Sequence, residues 1–541
     1  MLLTRPVDRL VLIGLDGGDE SWLGSCLARG LLPNLAAVLA SSSRGTLYTS
    51  EPSTTAVAWA GMLTGQTPAR HGIYDTECVR PGSRLVAPAD HRSLTAEHLW
   101  HLLSQAGREI LSIHTPIVHS SSGISGLVVG GSDSPNSSAA WHGPDRLVKQ
   151  LRRELPGFPK HSIWKKRPAA TEELALLVRR TEQYFDQLGA LVARAGEAVS
   201  WSVLAVHLQE LDGFLHRMWP ELEVDESASE LARPEWLGLV RQVLHRLDHF
   251  IGTLAGLAQA KGAGLMVVSD HGFTRCRAVV NVNGILRIHG IQRGQGVASR
   301  LLSGSKRAAS RAENWLGRRL LGTNFGRPIH LAMHCDATRS LAFAPFGRLS
   351  GLIYLSEKAS GNQSQAERLV DEIAEIFKLI ADPETSQPIF SNVITVSKRW
   401  GIDTRARGWP EIIAVPADGY HPLARWPGNG LARIQAVDSN LPGTHSKTGI
   451  VALSGPGIEP GQPISGHVHD VAPTILKWLG LPEISRATGR VIGHEAETSI
   501  YQPHIRPAHS RVMATPSQAT SPVVRVVSVS PHLSSMESLK K

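Results

Sequence analysis

At 541 residues the chain exceeds the usual reach of one hydrophobic core, so it reads as one large α/β domain with insertions or as two domains. Its mean hydropathy of -0.08 suits a soluble globular enzyme, and no run approaches the roughly 20 apolar residues of a bilayer span. The net charge of +9 is local: residues 291–320 carry +6 and residues 505–541 carry +4, which leaves a nearly neutral body and argues against a nucleic-acid partner.

MLLTRPVDRL leads straight into VLIGLD, a buried-strand pattern ending at Asp16. A signal peptide would need a longer apolar region and a small-residue cleavage site, so a cytoplasmic location is expected. Four scattered cysteines (Cys26, Cys78, Cys276, Cys335) form no CxxC pair, which speaks against a disulfide framework and against a thiolate zinc site. Residues 52–75, PSTTAVAWAGMLTGQTPARHGIYD, place Ser53, Thr54 and Thr55 ahead of an apolar helical stretch. One of these hydroxyls is expected at the N-cap or first turn, where backbone N–H groups favour an anion. Taken alone, that pattern is an ordinary cap. Helical periodicity follows in TEELALLVRRTEQYFDQLGALVARAG, ahead of the apolar run SVLAVHLQELD, ending at Asp212, and in RQVLHRLDHFIGTLAGLAQAKG, between that run and GLMVVSD, ending at Asp270. Strands alternating with helices imply a doubly wound sheet, with sites outside the strand carboxyl ends. Residues 291–335 break this rhythm. Their basic stretch reads as a solvated helix, ahead of a lid for anionic substrates or a membrane-surface contact. From about residue 505 the chain is Ser/Pro-rich, and a disordered basic tail is expected.

Near the expected strand ends stand three carboxylates and three imidazoles. Asp16 closes the first strand, Asp212 and His216 lie four residues apart, Asp270 and His271 follow the GLMVVS strand, and His445 precedes another apolar run. Each pair alone has a bland reading as a turn or a solvated helical face. Together they form a set of N and O ligands suited to Zn²⁺, with Mn²⁺ as the alternative. His207 reads as a satisfied core histidine, His71 as a loop-fixing residue and Trp59 as core. His467 and His469 read as surface residues as readily as site residues.

The blocks GLDGGDESWL, GLLPNLAAVLASSSRGTL, TAVAWAGMLTGQTPARHGI, DGFLHRMW, VVSDHGF with VNVNGIL, and GTHSKTGIVALSGPGI with DVAPTILKWLGLP occur in this order between residues 9 and 495. In this the chain resembles the type I phosphodiesterase/nucleotide pyrophosphatase branch of the alkaline phosphatase superfamily, within it the bacterial group described as predicted phosphohydrolases or phosphomutases. The resemblance implies an alkaline phosphatase-like catalytic domain over 8–504. That domain would be a mostly parallel sheet flanked by helices, with insertions forming a cap over the strand carboxyl ends. It implies Thr55 as nucleophile, nine residues before Thr64, one metal ion on Asp16, Thr55, Asp270 and His271, and a second on Asp212, His216 and His445. Val57 stands where the family usually has proline, and Cys78, in CVRPG, lacks the C-x-P-x-R setting of sulfatases. The implied activity is metal-dependent hydrolysis of a small-molecule phosphate ester through a phosphothreonine. The alternatives are a phosphomutase or phosphotransferase, and a metal-binding interaction protein without catalysis.

Overall fold

The computed structural model of the chain describes residues 2–494, except 81–84, 118–122, 132–140, 157, 159–161, 224–231, 294–326, 329–338, 348, 425–433, 437–439 and 485–486. Nearly all of the basic segment expected over 291–335, and the whole tail expected from 505, lie outside the described residues. Among the described residues no single helix is long and apolar enough to cross a membrane.

Three strands, Leu10–Leu15, Trp201–Leu208 and Gly264–Ser269, are buried at every position. Such runs, apolar apart from Ser202, His207 and Ser269, suit the interior of a parallel sheet covered on both faces. They form the centre of a ten-stranded sheet that runs Gly493–His494, Pro463–His467, Ser43–Tyr48, Thr448–Ser454, Gly264–Ser269, Leu10–Leu15, Trp201–Leu208, Glu109–Ile113, Gly126–Val129, Trp141–His142. The central pairings are parallel, whereas Thr448–Ser454 runs antiparallel between Gly264–Ser269 and Ser43–Tyr48. Register decides where the chemistry sits. Leu15 lies level with both Leu208 and Ser269, so the next residues, Asp16 and Asp270, emerge side by side.

Helices cover both faces. Thr171–Ala198 buries Leu174, Leu177, Val178, Thr181, Tyr184, Phe185, Leu188, Leu191, Val192 and Ala195, the stripe its periodicity predicts, and packs against Leu237–Ala260. On the opposite face Trp59, Met62, Trp100 and Trp478 share a core with Leu12, Val203, Ala205 and Met266. Gly14 is needed for that packing, because a Cβ there would stand 2.5 Å from Trp59 Cζ2.

A four-stranded antiparallel sheet, ordered Ala342–Phe343, Gly351–Leu355, Ile412–Pro416, Phe390–Thr395, stands beside the main one. The helix Gln363–Leu379, whose first turn is capped by Asn362, buries Val370, Ile373, Ala374 and Phe377 in the same cluster as Ile353, Phe390 and Ile412. The segment after the 291–335 break thus carries a sheet and a helix. Its other apolar residues, Phe343, Leu352, Tyr354 and Ile413, meet Val57 and Ala60 of the helix Thr55–Thr64. A polar tie reaches the loop before that helix, where Asn392 Nδ2 donates to Glu51 Oε2 at 2.8 Å, and another reaches the start of Thr448–Ser454, where Lys447 Nζ donates to Ser391 Oγ at 2.6 Å.

Within the small sheet, Glu411 Oε2 accepts the Leu355 N–H at 2.8 Å and Oε1 accepts the Thr404 hydroxyl at 3.3 Å. Burial pushes this carboxyl up to about 7. A folded pKa above the unfolded one means that ionisation opposes folding, so the penalty is absent at low pH and complete above the folded pKa. The Glu411→Gln variant is expected to gain stability over the parent by on the order of 2 kcal/mol as pH rises from about 5 to about 8. Denaturation midpoints of both proteins at the two pH values measure it, and a difference independent of pH would show that the carboxyl is solvated.

Candidate active site and metal centre

The helix Thr55–Thr64 begins where the extended residue Thr54 (φ -106, ψ 145) meets an apolar run, and it ends at Gly65, whose φ of 64 suits a residue without a Cβ. Val57 and Ala58 N–H groups donate to Thr54 O, closing the first turn. Thr55 is thus the first helical residue, at the end where the helix field favours negative charge. Its Oγ1 lies 3.4 Å from Asp16 Oδ1 and 3.3 Å from His271 Nε2. Ser53 and Thr54, the other two hydroxyl residues of the cluster, are used differently. Ser53 presents its carbonyl to His445, and the buried Thr54 hydroxyl has no hydrogen-bond partner.

Asp16, Asp270 and His271 come together from neighbouring strand ends. Asp270 Oδ1 accepts N–H groups from Gly17 at 3.3 Å and from His271 at 3.1 Å. Its Oδ2 is buried without a hydrogen-bond partner, 3.4 Å from His271 Nε2. His271 Nε2 is also 3.2 Å from Asp16 Oδ1. The His271 Nδ1 faces Gly272 O at 3.1 Å, so Nδ1 donates to that carbonyl and Nε2 turns inward. Ser269 Oγ accepts from Gly18 N at 2.7 Å and donates to His271 O at 2.5 Å, which ties the two loops together.

The second group is built on a helix and a returning strand. Asp212 and His216 occupy one face of Glu210–Leu222, with His216 Nε2 3.3 Å from Asp212 Oδ1. The strand Gly443–Ser446 pairs antiparallel with Gly272–Arg275, setting His445 opposite Phe273, and His445 Nε2 lies 2.9 Å from Asp212 Oδ1. His216 Nδ1 donates to Gly443 O and His445 Nδ1 donates to Ser53 O, each at 2.8 Å. The rings of His271 and His445 stack at 3.5 Å, so the two groups are contiguous. In all three histidines a backbone carbonyl fixes Nδ1–H and leaves Nε2 to the pocket, the outer arrangement common to metal-ligating imidazoles.

Burial sets the charge balance. It would raise Asp16, but His207 and His271 hold that carboxyl below its ordinary range. It would also raise Asp212, which His216 and His445 hold well below. For Asp270 burial and the neighbouring Asp16 act together and push it up to about 7. Burial would lower His271, yet Asp270 and Asp16 carry it up to about 10, while burial and the stacked His271 push His445 down to about 4. Opposed charges crowded in a dry pocket, with an orphaned Asp270 oxygen, suit a divalent cation better than they suit each other. Three overlapping sets each bring one donor atom per residue within 4.8 Å: Asp212, His216 and His445; Asp16, Asp212 and His271; Asp16, His207 and Asp270.

All seven residues singled out in the sequence therefore gather in one pocket. His207, expected to be a satisfied core residue, is buried and has Nδ1 3.2 Å from His114 O, but it also faces the site, with Nε2 3.2 Å from Asp16 Oδ2. The strand register sets it opposite Gly14, two residues before Asp16. The signal available was a histidine one residue from the carboxyl end of a wholly buried strand. Asp19 was also missed. It caps the helix Glu20–Ala28 through Ser21 and Trp22 N–H groups, and its second oxygen accepts the Phe273 N–H at 2.6 Å, fastening the Asp16 loop to the His271 loop. His71 fixes its loop as expected, with Nδ1 accepting the Ile73 N–H at 3.2 Å, and Trp59 is core. His467 and His469 stack on each other and lie outside the donor sets.

Comparison with known proteins agrees with this architecture. The chain is similar in fold to a phosphonoacetate hydrolase from Sinorhizobium meliloti 1021 in complex with phosphonoformate, with a TM-score of 0.51 and 16% identity over 87% of this chain and 97% of the other. Murine ectonucleotide pyrophosphatase/phosphodiesterase 5 gives a TM-score of 0.48 and 13% identity over 88% of this chain and 96% of the other. No curated protein sequence matches the chain significantly. A family profile described as type I phosphodiesterase/nucleotide pyrophosphatase matches residues 10–446. The chain belongs to the type I phosphodiesterase/nucleotide pyrophosphatase family, a family of phosphoric ester hydrolases.

Proposed function

We propose that the chain hydrolyses small phosphate esters through a covalent phosphothreonine at Thr55, with two divalent ions, zinc ahead of manganese. Asp16, Thr55, Asp270 and His271 would hold one ion, and Asp212, His216 and His445 the other. Diesters and pyrophosphates rank ahead of monoesters on the family's description. The observation that carries this reading is the place of Thr55 Oγ1, at a helix N-terminus and 3.4 and 3.3 Å from Asp16 and His271.

Bound divalent cations supply a lowered hydroxyl pKa and positive charge for the phosphoryl oxygens. Thr55 Oγ, freed of its proton, forms a bond to phosphorus as the bond to the leaving oxygen breaks. Water then cleaves the threonine–phosphorus linkage and restores the hydroxyl. The helix that begins at Thr55 turns its positive end toward the equatorial oxygens in both steps. Phe273 and Trp219, in contact at 5.7 Å with His216 packed on Phe273 at 4.8 Å, wall one side of the His216 imidazole with apolar surface.

Thr55→Ala is expected to lower kcat on the order of 10³-fold or more while zinc content, measured by elemental analysis, stays at the parent level. Substantial turnover in that variant would move the nucleophile to Thr54 or Ser53. Asp270→Ala and His445→Ala are each expected to lose metal along with activity, and full occupancy in both would overturn the ligand assignment. A metal-screened panel of bis-aryl phosphate, aryl phosphate, aryl phosphonate and aryl sulfate is expected to rank the diester first and the sulfate last. Products formed with added alcohol distinguish hydrolysis from phosphoryl transfer.

A further inference from the structure

His207 has no part in the ligand sets proposed above, yet its surroundings are built to aim it. Its strand, Trp201–Leu208, carries Val203 and Ala205 into the core of Trp59 and Met266, and position 207 falls in the same alternation. The apolar neighbours on that face would suit an aliphatic side chain. An imidazole instead occupies it, with the ring edge-on to Trp59 at a centroid distance of 4.8 Å. The space comes from Gly14 on the adjacent strand: a Cβ there would meet Trp59 at 2.5 Å and His207 Cδ2 at 3.3 Å.

The ring's orientation follows from its two nitrogens. Nδ1 lies 3.2 Å from the carbonyl oxygen of His114, an acceptor only, so Nδ1 donates and Nε2 is turned toward Asp16. Nε2 is buried and lies 3.2 Å from Asp16 Oδ2, with which it forms an ion pair when the ring is protonated. Asp270 Oδ2 is buried without a hydrogen-bond partner, and one donor atom from each of Asp16, His207 and Asp270 lies within 4.8 Å of the others. With the ring neutral, three electron-pair donors face one gap in a buried interior, a conflict that a positive centre between them, a proton or a metal ion, relieves.

We infer that His207 is a further ligand of the metal position formed by Asp16 and Asp270, through Nε2. The inference rests on the two-metal reading. Asp16 then serves in two directions, with Oδ1 toward Thr55 and His271 and Oδ2 toward His207. The position gains an imidazole supported by a strand interior rather than by a loop, and that imidazole already has its carbonyl partner in place.

Crystals of the zinc-loaded full chain, with ions located by anomalous scattering at the zinc edge, provide the test. An ion at an ordinary Zn–N distance of about 2.1 Å from His207 Nε2, also touching Asp16 and Asp270, is the expected result. Two ions bound without His207, and Nε2 hydrogen-bonded to Asp16 Oδ2, would overturn this inference and leave the proposed function standing. No bound zinc would overturn both. In solution, His207→Leu and the polar His207→Gln are each expected to surrender one of two zinc ions to a chromophoric chelator at least about tenfold more readily than the parent. The other ion should be retained as in the parent. Parent-like retention of both ions in the two variants would count against ligation.

Discussion

Two carboxylates, Asp16 and Asp270, leave neighbouring parallel strands into the same water-poor pocket, and much of the molecule is arranged around that juxtaposition. Like charges this close cannot both ionise cheaply without a counter-charge, and the displacement of Asp270 toward neutral pH expresses that conflict. The fold then surrounds the pair with imidazoles whose outer nitrogens are already committed to backbone carbonyls. Side chains that might have turned to satisfy themselves are held facing inward. Local strain is thereby converted into affinity for a cation, and the hydroxyl at the helix start shares the same field.

The sheet centre and its chemistry were legible because they rest on local signals. VLIGLD runs apolar up to Asp16, and GLMVVSD runs apolar up to Ser269 and Asp270, a switch that is routine at a strand end. Asp212 and His216 were legible as a pair because four residues is about one helical turn. Thr55 could be separated from Ser53 and Thr54 only through the family block, since any of the three makes an acceptable cap. The structure distinguishes them by direction, because the side chain of the first helical residue points to Asp16 while the Ser53 contact to His445 is through its carbonyl.

What escaped the sequence depends on pairings between distant segments. Thr448–Ser454 is as apolar as its parallel neighbours, so nothing local announces that it runs the other way. The strands of the smaller sheet are short and separated by up to tens of residues, and GLIYL or IIAVP would serve equally well in the main sheet. His207 is the sharpest case. Its meaning comes from Gly14 across the register and from the His114 carbonyl behind it, neither of which periodicity reveals.

The bond from His445 Nδ1 to Ser53 O joins residues 392 apart in sequence. It ties the His445 imidazole to the loop that leads into Thr55. A nascent chain therefore cannot bring these residues together until its final third has folded back over the first hundred residues. If the proposed assignment holds, capture of metal belongs to the close of assembly, and partly synthesised or proteolytically shortened chains carry no reactive threonine.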